Sequence, residues 1–153
     1  MPSRHLNEVF ELLTKVLPVI HKKIHRDVFK ATIEKTGEDL APHHLMILKM
    51  LRDGGLLNMS EIGEEIAISQ SQMTHSADKL ISRGMIQRMT DDLDRRRVRI
   101  RLTAKGRQYL ERLDPIMQSQ LESRLALLSA KDMQKLAVSL NGVAGIFNKL
   151  HWA

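Results

Sequence analysis

Cysteine, aromatic side chains and long apolar runs are missing or scarce in this sequence of 153 residues. The absence of cysteine excludes disulfides, cysteine-ligated zinc and thiol-based redox sensing in this chain, and it fits a reducing compartment. Only 3% of the residues are aromatic, which argues against binding of single-stranded nucleic acid by base stacking. Because no apolar run has signal-peptide or membrane-spanning length, we expect a cytoplasmic protein that does not enter a membrane.

The motifs of common enzymes are missing as well. The chain has no glycine-rich phosphate loop, no cysteine nucleophile and no cluster of serine, histidine and acidic residues. The pair Gly54 and Gly55 is better explained by the end of a helix. We therefore expect no catalytic residue and no cofactor. The 42% of hydrophobic and 27% of charged residues are ordinary values for one folded domain.

The positive charge is concentrated in one short segment. Between Arg83 and Arg107 there are nine lysines or arginines and three acids, so this segment alone accounts for the formal net charge of +6. The rest of the chain is neutral in sum. A local basic surface of this kind is typical of a protein that binds a polyanion such as duplex DNA.

A capped helix precedes and enters this basic segment. Ser69 and Gln72 form an S-x-x-Q capping box, which predicts a helix from there to Arg83. A shorter helix is predicted from Ser60, as its N-cap, through Ala67, and the tight break between the two helices is typical of a helix-turn-helix. The exposed positions early in the second helix are Gln70, Ser71, Gln72, Thr74 and His75. Such side chains reach base edges or phosphates in a major groove, although polar residues on a helix are more often simply solvated.

Two predicted strands follow and form a basic hairpin, the wing. Met85 to Thr90 reads as the first strand. From Arg97 to Leu102 the residues alternate strictly, which predicts that Val98, Ile100 and Leu102 face inward and the arginines outward. Arginine suits phosphate contacts and narrow minor grooves. In the connecting turn, Asp94 is interpreted as a carboxylate that orients the neighbouring arginines.

Both ends of the chain carry a heptad-like apolar seam. The N-terminal seam consists of Leu6, Phe10, Leu13, Leu17, Ile20 and Ile24, and the C-terminal seam consists of Leu136, Leu140, Val143, Phe147 and Leu150. Such narrow seams pack against another helix. Together they have more apolar length than one small winged domain can cover, which favours a two-fold symmetric homodimer. Pro18 and Pro115 predict bends in these helical regions.

Local signals predict the other boundaries. Gly37 is typical of a helix C-terminus and Pro42 of a helix start. Leu56 to Met59 suggests a very short strand. Thr103 and Ser129 are predicted N-caps, and Ser129 forms a capping box with Asp132.

The chain resembles the MarR family of winged helix-turn-helix transcription factors. SQSQMTHSADKLISRGMIQR matches the family's recognition helix and first wing strand, and DDLDRRRVRIRLTAKG matches its wing signature. The family's helix before the helix-turn-helix is matched by LAPHHLMILKML, and the start of its last helix is matched by LSAKDMQKL. The resemblance implies a mainly α fold with a small β-wing, and one MarR-type domain spanning 1–153. Within it, 41–106 form the DNA-binding core, and 1–36 and 107–153 form the helical dimerisation region.

The resemblance also implies how the protein acts. Two recognition helices of a homodimer enter successive major grooves of a palindromic operator, and a wing arginine enters the adjacent minor groove. The residues expected to contact DNA are Ser69, Gln70, Ser71, Gln72, Thr74, His75, Lys79, Arg83, Asp94, Arg95, Arg96 and Arg97. Lys79 and Arg83 are expected to serve phosphates or to support the wing. Family members are often released by phenolic or other aromatic acids that bind between the dimerisation helices and the reader.

Two positions depart from the family pattern. The family often has basic residues where Gln70 and His75 stand, so the base contacts here are expected to differ. It often has threonine where Ala41 stands, so the helix starting at Pro42 lacks a side-chain N-cap.

Two alternatives remain open at this level. One is a non-specific architectural DNA-binding protein, which needs the charge but not the polar reader helix. The other is metal sensing by His21, His25, His43 and His44, since imidazoles with nearby carboxylates can bind zinc. Four-residue histidine spacing is common by chance, so we expect no metal site.

Overall fold

A computed structural model describes residues 4–90 and 98–150. The chain forms two compact units, Met1–Met117 and Gln118–Ala153. The helices are α1 (Arg4–Glu11), α2 (Leu17–Ile24), α3 (Ala31–Thr36), α4 (Pro42–Gly54), α5 (Met59–Glu65), α6 (Gln70–Ser82), α7 (Ala104–Leu125) and α8 (Ala130–Phe147). The strands are β1 (Leu56–Asn58), β2 (Ile86–Thr90) and β3 (Val98–Leu102). The fold is therefore mainly α with a small three-stranded sheet, as the sequence predicted.

The N-terminal segment is helical and changes type twice. A π-helical stretch, Leu12–Val16, joins α1 to α2, and a second one, His25–Lys30, joins α2 to α3. Pro18 lies in the first turn of α2, directly after the first stretch. A proline lacks an N–H and its ring crowds the carbonyl four residues earlier, which a wider turn accommodates. The irregularity predicted at Pro18 therefore takes the form of a change in helix type.

The segment ends where the sequence predicted. Gly37 follows α3 with φ +70°, a left-handed conformation that favours glycine. The next helix, α4, starts at Pro42 after the extended residue Ala41, which offers no side-chain cap. Instead, the Nδ1 atom of His44 accepts a hydrogen bond of 2.8 Å from the N–H of Ala41.

The hydrophobic core of the first unit lies beneath α4, α5, α6 and the sheet. It contains Ile33, Leu40, Leu45, Ile47, Leu48, Leu51, Ile62, Met73, Ala77, Leu80, Met85, Ile86, Ile100, Tyr109, Leu110 and Leu113. An ion pair adds a polar tie between α4 and α7, because Arg52 Nη1 lies 2.5 Å from Asp114 Oδ2. Helix α6 contributes Met73, Ala77 and Leu80 to this core, and the spacing of four and three residues places them on one face.

Two predicted boundaries around α5 are wrong. The helix begins at Met59 rather than after Ser60, because strand β1 ends at Asn58 and the chain turns at once. Asn58 occupies the N-cap position with extended backbone, and its Nδ2 donates to Glu61 Oε1 over 2.6 Å. The helix also ends at Glu65 rather than Ala67. Ala67 has a positive φ of 55°, and this left-handed residue reverses the chain towards α6.

The sheet is antiparallel with strand order β1-β3-β2. Leu57 pairs with Ile100 across β1 and β3, and Arg88 pairs with Ile100 across β2 and β3. Ile100 is fully buried, as the alternation predicts, whereas Val98, on the same face of β3, is 42% exposed and is not part of the core. The core extends only under the base of the hairpin, whereas Val98 pairs with Thr90 at the distal end. An inward-pointing side chain there has no core to meet.

Thr103 joins the sheet to α7 and confirms the predicted cap. Its Oγ1 accepts a hydrogen bond of 3.1 Å from the N–H of Gly106 and donates to the carbonyl of Gly84 over 2.6 Å. Its N–H donates to the carbonyl of Met85 over 3.0 Å. These bonds fix the base of the wing to the first turn of α7.

The second unit contains the end of α7 and the whole of α8. Ser129 caps α8 as predicted. Its Oγ accepts a hydrogen bond of 3.1 Å from the N–H of Asp132 and donates one of 2.7 Å to the Asp132 carboxylate. No residue of α8 is buried. The seam residues Leu136, Leu140, Val143 and Leu150 are exposed, and Phe147 is half-buried.

The N-terminal seam is likewise exposed at every position. Its six large apolar side chains are all exposed: Leu6, Phe10, Leu13, Leu17, Ile20 and Ile24. Large exposed apolar stripes are rare on monomeric proteins and mark interaction surfaces. Among the helices of the described segments, none is both long and apolar enough to cross a bilayer.

Candidate nucleic-acid interface

Helix α6 is the candidate reader helix, and its start is fixed as the sequence predicted. Ser69 has an extended backbone (φ −66°, ψ 156°), and its Oγ accepts a hydrogen bond of 3.1 Å from the N–H of Gln72. The carbonyl of Ser69 accepts from the N–H of Met73 over 2.8 Å. The cap satisfies a free N–H of the first turn and fixes where the helix begins.

The reader helix has one buried and one polar face. Its buried residues are Met73, Ser76, Ala77 and Leu80. All five polar positions predicted to be exposed, Gln70, Ser71, Gln72, Thr74 and His75, are exposed. Thr74 Oγ1 donates to the carbonyl of Gln70 over 3.0 Å. Because its hydrogen is used in this bond, the hydroxyl can act only as an acceptor for a ligand. The helix therefore presents mixed hydrogen-bonding groups to solvent along its first two turns.

One flank of the reader helix is held by the wing. Arg88 on β2 donates from Nη2 to Asp78 Oδ1 over 2.5 Å. Both side chains are about half exposed or more, so they lie at the surface next to the polar face. Neither residue was among those predicted from the sequence. The sequence indicates that Asp78 faces outward on the helix, but it does not indicate the partner, because Arg88 lies on a different element.

The other flank is held by the α3–α4 loop, residues 37–41. Lys79 Nζ lies 2.9 Å from Asp39 Oδ2, and Arg83 pairs with Glu38 through Nη1 and lies 3.8 Å from Asp39 through Nη2. The hydrogen bond from Lys79, followed by its charge, lowers the pKa of the Asp39 carboxyl. Lys79 and Arg83, predicted to serve phosphates or the wing, are thus paired with acids of this loop.

The wing positions Asp94, Arg95, Arg96 and Arg97 lie outside the described residues, as does the whole turn 91–97. Their predicted contacts with DNA stay predictions. The hairpin base that carries them is defined by the β2–β3 pairing from Ile86 and Leu102 to Thr90 and Val98.

A cavity of about 550 Å³ lies between α5, the reader helix and the wing. Its lining includes Met59, Met73, Gln70 and Thr74. Asn58 also lines it, although its Oδ1 atom is buried and has no hydrogen-bond partner. The volume falls within the usual range for small-molecule sites.

Two pairs of histidine rings lie close together in the described part of the chain. The His21 and His25 rings are 5.9 Å apart between centroids, and the His43 and His44 rings are 4.3 Å apart. Over residues 4–90 and 98–150, no three histidine, aspartate or glutamate side chains are grouped so that they could hold a metal ion.

His44 is the most perturbed titratable group described. The residue is 3% exposed, and burial, followed by the neighbouring His43 and Lys79 charges, lowers the pKa of its ring to about 4. Because Nδ1 accepts from Ala41, the neutral ring carries its hydrogen on Nε2, which is buried without a partner. The folded state therefore holds His44 neutral at mildly acidic pH.

We expect the stability of the fold to decrease as the pH falls from about 6.5 to about 4. In that window the unfolded His44 binds a proton and the folded one does not, so the free energy of unfolding falls by about 3 kcal/mol. In His44→Gln the amide oxygen can replace Nδ1 as acceptor but cannot titrate. Urea unfolding at pH 7.5 and 4.5 should show a smaller loss in this variant, whereas the exposed control His5→Gln should behave as the wild type. Equal losses in all three proteins would contradict the assignment.

The comparisons with known proteins agree with this geometry. The model of the MarR family matches residues 40–98. An uncharacterized HTH-type transcriptional regulator of Bacillus subtilis, YkoM, is 27% identical over 132 residues, which cover 83% of this chain and 85% of that protein. The HTH-type transcriptional repressor MdtR of the same organism is 28% identical over 121 residues, 79% of this chain and 76% of MdtR.

A solved structure shares the fold. A mutant of MarR from E. coli, crystallised with operator DNA, superimposes with a TM-score of 0.69 at 20% identity and covers 92% of this chain and 99% of its own. At this identity the likeness concerns the fold alone.

Proposed function

We propose that the chain is a transcriptional regulator of the MarR family and that it acts as a homodimer that binds a palindromic operator in double-stranded DNA. In this proposal it represses transcription until a small-molecule effector releases it. The relative MdtR is named a repressor, and the MarR structure that shares the fold was solved with operator DNA, which supports duplex DNA as the partner proposed for this chain.

The capped reader helix carries the proposal. Its polar face, including Gln72 and His75, is exposed, while Met73 and Ala77 anchor the opposite face in the core. A helix held in this way can enter a major groove with its N-terminal side chains against base edges. The adjacent wing, with its concentration of arginines, supplies charge for the phosphates.

The exposed seams of α1, α2 and α8 support the homodimer. Together they present apolar residues that nothing in their own unit buries. A second copy covers them with two-fold symmetry and places two reader helices about one helical turn of DNA apart.

The cavity beside the reader helix supports a small-molecule effector. An occupant of the cavity would contact Gln70 and Thr74 directly, and so would change what the helix offers to DNA. Phenolic or other aromatic acids, the effector class that the resemblance implies, are the class to test first, and Met59 and Met73 give the cavity adaptable walls.

The test compares the DNA flanking the protein's own gene with random duplex of equal length. The dissociation constants are measured over a salt series, with and without candidate aromatic acids. We expect a specificity ratio of about 10³ or more at physiological salt. A ratio near one at every salt concentration would instead favour the non-specific architectural protein, whose supporting observation is the concentrated positive charge.

Two substitutions are expected to separate base reading from charge. Gln72→Ala should change the preferred operator sequence, at a cost of about 1–3 kcal/mol for the affected base pair, with little change on random duplex. Arg96→Ala should weaken both duplexes and lower the salt dependence, because it removes a phosphate or minor-groove contact. Selection from a random DNA pool followed by anisotropy titrations measures both effects. Uniform losses for Gln72→Ala across all sequences would count against base reading.

A further inference from the structure

The α3–α4 loop packs against the fold through hydrogen bonds and one buried leucine. Gly37 has a left-handed conformation, and the N–H of Glu38 donates to Thr36 Oγ1 over 3.4 Å. Leu40 inserts into the core and is 8% exposed. The hydrogen bond from Ala41 to the buried His44 closes the other end. These contacts hold the loop backbone that carries Glu38 and Asp39 beside the reader helix.

These acids face the reader helix. Asp39 is 86% exposed, yet its carboxylate holds the Nζ atom of Lys79 at 2.9 Å. Glu38 pairs with Arg83 one turn further along, and Lys105 Nζ donates to the carbonyl of Arg83 over 2.7 Å. Ion pairs and a hydrogen bond within the protein therefore hold this flank of the reader helix near its C-terminus.

Lys79 lies on the same side of the helix as two proposed reader residues. At 100° per residue, Lys79 falls about 40° from His75 and about 20° from Gln72 around the axis. A lysine on the flank of a reader helix is placed to reach a phosphate at the edge of the groove. The carboxylate of Asp39 takes one of the three N–H donors of the ammonium group and offsets its charge, so it competes with a phosphate oxygen for Lys79.

We propose that Asp39 is a specificity-determining residue, which holds Lys79 off the DNA backbone and so lowers the affinity for DNA of any sequence. The proposal rests on the proposed DNA-binding function and adds a regulator of its selectivity. A lysine–phosphate contact stabilises every sequence equally and releases a counterion. An intramolecular carboxylate competes with that contact and leaves the base contacts of the helix untouched. The ratio between operator and random affinity is then higher than in a protein with a free lysine.

The experiment uses four full-length variants: Asp39→Asn, Lys79→Gln, the double variant, and Asp53→Asn as a control. Asp53 is an exposed acid beside Arg52 at the end of α4, so the control removes the same charge away from the reader helix. Each protein is titrated with a random 30-base-pair duplex by fluorescence anisotropy between 50 and 200 mM KCl. Thermal unfolding checks that each variant is folded.

Asp39→Asn should bind random duplex more tightly and with a steeper salt dependence. The slope of log K against log salt should change by about −0.9 for each lysine released, or about −1.8 for a dimer. A single released lysine makes the gain about threefold larger at 50 mM than at 200 mM KCl. Lys79→Gln should leave the wild-type slope unchanged and should cancel the gain in the double variant.

Three results would overturn the proposal. The first is a shallower slope for Lys79→Gln alone, which would mean that Lys79 already contacts phosphate. The second is an unchanged slope for Asp39→Asn. The third is equal steepening by Asp53→Asn, which would mean that net charge alone matters. If the wild type binds neither operator nor random duplex, the proposed function itself fails and this inference with it, an outcome that differs from all three.

Discussion

Leu140→Glu is expected to yield a folded monomer that has lost operator binding. Leu140 lies in the middle of the α8 seam and is 61% exposed, so a glutamate there disturbs no core within its own unit. In the proposed dimer the same side chain is buried, and a desolvated carboxylate without a partner costs several kcal/mol. Losing the second reader helix removes the gain from bivalent binding, which is about 10²–10⁴-fold.

The measurements are molecular mass by light scattering and operator affinity by anisotropy. Gln134→Glu is the matched control, because it adds the same charge on α8 about half a turn away from the seam. The control should stay dimeric and bind as the wild type. Leu17→Glu should reproduce the effect of Leu140→Glu from the N-terminal seam. A monomeric Leu140→Glu protein that still binds a full operator tightly would refute the dimer model of recognition.

Gly106→Ala is expected to destabilise the first unit by about 3 kcal/mol, at the upper end of the range for overpacking. An added Cβ would lie 2.2 Å from the carbonyl oxygen of Met85 and 2.7 Å from Leu102 Cδ1. The Met85 carbonyl cannot move freely, because it also accepts from the N–H of Thr103. Relief of the clash must therefore shift the first turn of α7 or the base of the wing, which should weaken DNA binding too.

Thermal unfolding should show this loss as a fall in Tm of about 6–12 °C. Gly145→Ala is the matched control: it lies inside α8, and an added Cβ there meets no atom within 4 Å. The control should keep or raise the Tm, because alanine is up to about 1 kcal/mol better than glycine inside a helix. A Gly106→Ala protein as stable as the wild type would mean that α7 and the wing base separate at little cost.

Much of the fold was predictable because its signals are local. The Ser69 and Ser129 caps, the Gly37 helix end and the Pro42 start each depend on hydrogen bonds or dihedral angles within a few residues. The hairpin was predictable from alternation for the same reason. The seams were visible because helical periodicity records which side of a helix is apolar.

The errors occurred where distant elements decide the outcome. Asn58 begins α5 earlier than Ser60 predicted, because the pairing of β1 with β3 determines where the strand stops. Val98 was expected inward, but the core does not extend as far as the distal end of the hairpin. Alternation states which side a residue faces and says nothing of what lies there.

The candidate site divides in the same way. The sequence alone determined the reader helix, its polar face and the concentration of positive charge near the wing, since these are properties of neighbouring residues. Only the tertiary structure decided that Asp78 meets Arg88, that Asp39 holds Lys79, and that His44 is buried and neutral. Asp39 and Lys79 are forty residues apart, and charge pairing at such a separation depends on packing that no local pattern encodes. The sequence thus shows which residues can contact DNA, and the fold decides which of their charges are free to do so.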